Sequence, residues 1–272
     1  LFFLFEAAPD VLTLIAIVGS LTAFVAATIA LTQNDIKKVL AYSTVSQLGY
    51  MFMAMGAGAF SNGIFHVTTH AFFKACLFMS AGSVIMGCHH EQDMRQFGGL
   101  RKYMPLTFIS YLVATLAIAG FPYLAGFYSK DAILWAVLSN PEFSPELSRV
   151  IWGIGALTAF LTAFYMTRSL MMTFFGEYRG HGHPHESPWV VTVPILILGG
   201  LSAVFGFLGG DRLLNFLAPW GREDLVHLHA ELVTNPELEH VYHYYEHLSM
   251  IIAVAGIVLA IVLYGGSAAV VT

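Results

Sequence analysis

Residues 62–78 read Asn62-Gly63-Ile64-Phe65-His66-Val67-Thr68-Thr69-His70-Ala71-Phe72-Phe73-Lys74-Ala75-Cys76-Leu77-Phe78. Asn62, His66, His70 and Lys74 recur every fourth residue. In a helix each step of four advances only about 40°, so His66, His70 and Lys74 share one stripe roughly 12 Å tall. The residues between them are apolar or small. The run therefore reads as a helix fit for hydrocarbon on every side but one, with a lysine near its centre. Placing a lysine there costs about 2.5–3.5 kcal/mol on insertion scales, and a fold that keeps it gives it a wet cavity or a partner.

The whole composition agrees with that reading. Of 272 residues, 57% are hydrophobic and 11% are charged, whereas soluble domains average about 25% charged. So few charges do not cover the surface of a soluble globule of this size, and a bilayer removes the need. The formal net charge is −5. With no basic run longer than two residues, nothing points to nucleic acid. Cys76 and Cys88 form no CxxC pair, which gives no disulfide framework or iron–sulfur motif.

Working outward, long apolar windows mark seven spans, at about 11–32, 39–58, 63–87, 104–138, 149–175, 189–209 and 249–271. Each is near the ~20 residues a crossing helix needs, except the fourth. That one runs about 35 residues, or roughly 52 Å. Its middle, Ala119-Gly120-Phe121-Pro122-Tyr123-Leu124-Ala125-Gly126, breaks a helix. Broken helices are tolerated at membrane depth where they line a cavity or hold an ion. Lys130 and Asp131 follow the break at once. The expected fold is an all-α polytopic membrane protein of about seven transmembrane helices, one broken mid-membrane.

Lys37, Lys38, Arg95, Arg101, Lys102 and Arg179 fall in one alternating set of loops; Arg149, Arg212 and Arg222 fall in the other. This bias predicts that loops 33–38, 88–103 and 176–188 face the cytoplasm. Asp35 with Lys37 and Lys38 reads as a helix start and a cytoplasmic anchor. A polar, His-rich segment at about 210–248 is the one long extramembrane stretch expected.

Two imidazoles and an amine on one stripe suit proton relay, since histidine titrates near neutral pH without tuning. Two other readings of the stripe are a purely structural hydrogen-bonded array and a metal site. No Glu follows His66, and Lys74 would repel a cation. Arg168 is a further costly charge, expected either to pair with Asp131 or to reach the cytoplasmic surface. Ser43, Gln47 and Tyr50 share a face of the second span, where they hold water or bond a neighbouring helix. Tyr42, Thr44 and Ser46 add to that polar stretch. Outside the spans lie two histidine clusters, His181, His183 and His185, then His227, His229, His240, His243 and His247. They read as solvent-exposed contact surfaces rather than metal sites.

Long runs carry a family resemblance. Asp35-Ile-Lys-Lys-Val-Leu-Ala-Tyr-Ser-Thr-Val-Ser-Gln-Leu-Gly-Tyr50 resembles the proton-conducting, antiporter-like membrane subunits of respiratory complex I, and so does His66-x3-His70-Ala-Phe-Phe-Lys74-Ala. Three further runs point to the distal member of that family: Gly87-Cys-His-His-Glu-Gln92, Gly98-Gly-Leu-Arg-Lys102 and Ala125-Gly-Phe-Tyr-Ser-Lys130-Asp131. The resemblance covers essentially the whole chain.

It implies two inverted five-helix repeats, each with one broken helix. Residues 1–176 match the second repeat, and 177–272 supply two further helices. It implies that Lys74 is the central-axis lysine with His66 and His70 beside it, and that Lys130, with its acidic neighbour Asp131, is the terminal lysine of the outlet half-channel. No cofactor is expected on this chain; NADH, FMN, iron–sulfur clusters and quinone are implied in other subunits. Other membrane subunits, the lipid bilayer and protons are the implied partners, in a bacterial inner membrane. The chain starts at Leu1 without a signal-peptide pattern and ends in an apolar stretch, so it is expected to be an internal piece. The first repeat, with its glutamate–lysine pair, and the lateral helix are expected in the parent protein. A multi-subunit cation/proton antiporter and a non-transporting scaffold are the alternatives from other classes.

Overall fold

The computed structural model describes residues 8–217 and 236–265. Among them, eight long helices follow in order: α1 Pro9–Thr32, α2 Ile36–Gly56, α3 Phe60–Gly87, α4 Pro105–Ala119, α5 Ala125–Leu138, α6 Pro145–Phe174, α7 Trp189–Leu217 and α8 Pro236–Tyr264. Two 3₁₀ turns, Met94–Gln96 and Leu100–Lys102, lie between α3 and α4.

Local chemistry fixes several ends. The Asp35 carboxylate accepts from the backbone N–H of Lys37 at 2.8 Å and of Lys38 at 3.2 Å, which starts α2. Ser144 accepts from Leu147 N–H at 3.3 Å and starts α6. Prolines open α1, α4 and α6, where their missing N–H costs nothing. The first turn of α4 is capped from a distance. Glu186 accepts from the N–H of Leu106 at 2.9 Å and from the hydroxyl of Thr107 at 2.6 Å, placing a carboxylate at the positive end of the helix.

The fourth expected span is two helices. α4 ends at Gly120, whose φ of 80° is left-handed, and α5 starts at Ala125. Among the described residues, five helices or helix stretches are long and apolar enough to cross a membrane: α1, α3, α6, Trp189–Leu208 of α7 and Glu239–Tyr264 of α8. The two remaining expected crossings fall short for separate reasons. α2 has 21 residues, but Lys37, Lys38, Ser43, Thr44, Ser46 and Gln47 make it polar. α4 and α5 have 15 and 14 residues, each too short alone for ~30 Å of hydrocarbon.

Several boundaries also move. Lys37 and Lys38 belong to the first turn of α2, so the expected 33–38 loop shrinks to a turn at 33–35. α3 begins at Phe60 rather than near 63. Helix occupies both ends of the expected 210–248 segment, since α7 runs to Leu217 and α8 starts at Pro236. His240, His243 and His247 are therefore on α8, while His227 and His229 lie outside the described residues.

α1 packs along α2, α8 along α6, and α7 against α3, α4 and α5. A Cβ on Gly19 or Gly49 would meet the opposite backbone across the α1–α2 contact, as in other close membrane-helix pairs. The polarity is inverted relative to a soluble fold. Leu14, Val18, Ile197, Phe207, Ile251 and Val262 are exposed, whereas Ser43, Gln47, His66, Lys74, Ser129 and Lys130 are buried. Apolar surface on this scale suits lipid rather than water.

Candidate functional site

α3 turns its ionisable stripe toward α2 and α5. His66 is fully buried. Its Nδ1 lies 2.9 Å from Ser129 Oγ on α5, and its Nε2 lies 3.1 Å from Gln47 Oε1 on α2. Both ring nitrogens thus have a polar partner, one from α5 and one from α2. Ser129 in turn accepts from Thr69 at 3.1 Å. The imidazole is thus held at both nitrogens by groups from two other helices. His70 follows one turn along α3, its ring centroid 6.3 Å from that of His66. Its Nε2 is buried without a hydrogen-bond partner.

Lys74 and Lys130 are 5% and 3% exposed, so neither reaches water by snorkelling. The Lys74 amine donates to Leu40 O on α2 at 3.0 Å. The Lys130 amine donates to Ile118 O, in the last turn of α4. That acceptor exists because of the break. A helical carbonyl normally receives the N–H four residues on, and four residues after Ile118 stands Pro122, which has none. Gly120 N–H goes to Ala117 O and Phe121 N–H to Leu116 O, leaving the Ile118 oxygen to the lysine. Tyr50 joins the two halves: its ring centroid is 6.3 Å from that of His66 and 5.6 Å from the Lys130 amine.

The structure thus brings His66 against Gln47, Ser129 and Tyr50 and Lys130 against Tyr50, with His70 one turn along α3 from His66 and Lys74 one turn beyond that. Asp131 turns elsewhere. Its Oδ1 accepts from Ser249 on α8, and its Oδ2 is buried without a hydrogen-bond partner. Arg168 takes neither sequence expectation fully. It is 7% exposed, donates to Gln33 O and Asn34 Oδ1, each at 2.7 Å, and stacks 5.5 Å from the Tyr264 ring. It ties the α1–α2 turn to the last turn of α8 and does not meet Asp131.

Of the two readings of the α2 face, bonding to neighbouring helices is the one observed. Gln47 meets His66, Ser43 accepts from Tyr165 at 2.9 Å, and Tyr50 donates to Gly155 O. Sequence reasoning missed Ser129, Thr69 and Tyr165, because hydroxyls in apolar helices carry no periodic signal. The Ile118–Pro122 spacing was the readable clue to the Lys130 acceptor. On the opposite side, Arg179 donates to Arg95 O at 2.8 Å and Met172 O at 3.0 Å, joining loops 88–103 and 176–188. Burial there pushes the Cys88 thiol up to about 11, so it stays protonated.

The described residues thus hold a broken helix, a lysine on the freed carbonyl and a His–Lys file inside one helix bundle. In comparison with known proteins, residues 1–162 match the family model described as NADH:quinone oxidoreductase/Mrp antiporter, TM. The chain belongs to this family. It is 43% identical to NAD(P)H-quinone oxidoreductase chain 5 of Picosynechococcus, over 96% of this chain and 42% of that protein. It is 46% identical to NADH-quinone oxidoreductase subunit L of Rickettsia bellii, over 96% of this chain and 40% of that protein. The chain therefore spans about two fifths of the length of these relatives. A solved structure of the Mrp complex from Dietzia shares the fold, with a TM-score of 0.67 at 21% identity, over 77% of this chain and 46% of that one.

Proposed function

We propose that this chain is part of a proton-translocating membrane subunit of an NADH:quinone oxidoreductase, the subunit L or chain 5 type. Electron transfer takes place in other subunits, which hold NADH, FMN, the iron–sulfur clusters and quinone. Within this chain Lys74, His70, His66 and Lys130 hold and pass protons, and other membrane subunits and lipid surround it. The proposed setting is a bacterial inner membrane, with the 33–35 turn and loops 88–103 and 176–188 in the cytoplasm. Residues 1–176 form the antiporter-like unit and 177–272 the C-terminal pair of spans.

One observation carries this reading: His66, Lys74 and Lys130 are buried, His70 lies between His66 and Lys74 on α3, Tyr50 lies against both His66 and Lys130, and no carboxylate neutralises either lysine amine by a direct bond among the described residues. Such amines exchange protons with their neighbours. At an effective dielectric near 20, two charges about 8 Å apart repel by ~2 kcal/mol, roughly a thirtyfold change in occupancy. Protonating one site thereby favours release from the next.

The test is Lys74→Ala and Lys130→Ala in the intact membrane complex, reading protons moved per electron. We expect both variants to lose most of the coupled translocation. An unchanged ratio and turnover in both would overturn the proposal. Sodium-dependent exchange without NADH-linked electron flow would instead assign the chain to the antiporter branch of the family.

A further inference from the structure

Lys130 needs a way out, and its neighbour Asp131 leads to one. Asp131 faces a small cleft between α5, α6 and α8, with a cavity volume of about 10 Å³, room for about one water, whose walls include Trp135, Trp152, Tyr242, Glu246 and Ser249. Two polar atoms from α5, Asp131 Oδ2 and Trp135 Nε1, are buried there without hydrogen-bond partners. Buried polar groups in native folds are nearly always satisfied by protein or water, so the pocket is built for a polar guest such as water. Beyond it the groups become steadily more exposed. The Glu246 side chain is 26% exposed and lies 2.9 Å from His243 Nδ1. His243 is 53% exposed, and its Nε2 is 4.0 Å from Glu239, itself 58% exposed. All this lies at the end of the bundle shared by the α5–α6 turn and the start of α8, opposite the Arg168–Gln33 end.

We propose that α8 carries the outward leg of the proton path, with Asp131, Glu246 and His243 passing the proton released by Lys130 to the aqueous surface. The proposal rests on the proton-translocating reading above, and it extends to a helix beyond the residues 1–162 that match the family model. The steps balance simply. Lys130 loses one N–H proton to an intervening water, which gives one to an Asp131 carboxylate oxygen. Water in the pocket takes that proton and gives one to Glu246, Glu246 gives one to His243, and the imidazolium releases one to bulk water. Ser249 holds the Asp131 carboxylate and bonds the Glu246 backbone carbonyl. His247 bonds the His243 backbone carbonyl and keeps that turn of α8 in shape.

The deciding experiment uses the intact complex in sealed vesicles and compares Glu246→Gln, His243→Gln and Lys130→Ala for NADH-driven proton translocation, with and without added imidazole. Glu246→Gln and His243→Gln should each slow coupled turnover about tenfold, less than the ~100-fold a positioned acid or base commonly contributes, because pocket water offers a bypass. Imidazole should restore His243→Gln, which a merely structural role does not allow. Lys130→Ala should lose translocation with no rescue. If Lys130→Ala fails while Glu246→Gln and His243→Gln run at the wild-type rate, the α8 relay is wrong and the proposed function stands. If all three pump normally the relay is wrong, and if Lys74→Ala does so too the proposed function itself fails. Should Glu246→Gln not assemble, His243→Gln, whose side chain faces solvent, decides on the same readout.

Discussion

Lys74 and Lys130 are two buried lysines held by unlike carbonyls. Lys74 donates to Leu40 O inside the unbroken helix α2, an oxygen that also accepts the Thr44 hydroxyl at 3.0 Å. Lys130 donates to Ile118 O, which Pro122 and the end of α4 leave without a helical partner. A crowded helical carbonyl is a poor anchor, and an orphaned one is a good one. The difference gives the two sites separate characters: a weakly tethered amine in the middle of the file, and a firmly seated one at the break. Only the second has a carboxylate neighbour leading away from it, Asp131.

The most disruptive way to break this contrast is to disturb the helix break. A Cβ on Gly126 would overlap the carbonyl of Ala117 at the end of α4. Gly126→Ala must therefore push α5 off α4 and move Lys130 from Ile118 O. Overpacking of this kind costs about 1–3 kcal/mol. We expect reduced assembly of the complex and near-complete loss of proton translocation in what does assemble, measured by native gel and vesicle acidification. Gly120→Ala meets no atom closer than the Lys130 side chain at 3.9 Å. It carries only the left-handed backbone penalty of about 1–2 kcal/mol, so it should assemble better than Gly126→Ala.

How much of this was legible before the structure follows from the same residues. The spacing of His66, His70 and Lys74 and the Gly120–Gly126 break were plain, since helical period and helix breakers are local properties. The all-helical membrane architecture followed from composition. What was not legible is pairing across helices. Nothing in the run Ser129-Lys130-Asp131 says that the serine reaches His66 while the aspartate turns to Ser249 on α8. Nor did spacing reveal that Arg168 would find the carbonyl of Gln33. The starts of α2 and α8 were misplaced because a hydropathy window stops at charged or His-rich residues, whereas a capped or amphipathic helix does not.

A smaller effect sharpens the contrast by separating stability from transport. Lys74→Met and Lys130→Met each remove a charge whose burial in a membrane helix costs about 2.5–3.5 kcal/mol. Lys74→Met leaves Leu40 O with its helical and Thr44 partners, so thermal stability of the purified complex should rise. Lys130→Met strands the Ile118 oxygen, and an unsatisfied buried acceptor costs about 1–3 kcal/mol. Its gain should be smaller or absent. Both variants should lose coupled pumping. Equal stabilisation by the two would show that the freed carbonyl does not distinguish the sites.

The smallest effect belongs to a charge pair that the membrane does not enclose. The Arg95 guanidinium hydrogen-bonds Asp93, with the ion pair at 2.7 Å and its side chains 53% and 29% exposed. That contact holds the Asp93 carboxyl below its ordinary value, partly offset by desolvation. Its folded value is depressed, so its stabilisation is present above the unfolded value near 3.9 and is lost as pH falls through the lower folded value. Asp93→Asn should therefore change melting only slightly at neutral pH, and the difference should vanish once pH falls below the lowered folded value. Raising salt should shrink it as well, because exposed pairs are screened. The lysine variants should show no such salt dependence, since their amines lie inside the bundle. Melting curves of Asp93→Asn and Lys74→Met at low and high salt put the buried and exposed charges side by side. If the effect of Lys74→Met faded with salt as that of Asp93→Asn does, Lys74 would have to be in contact with bulk water, and the enclosed site described for it would not hold.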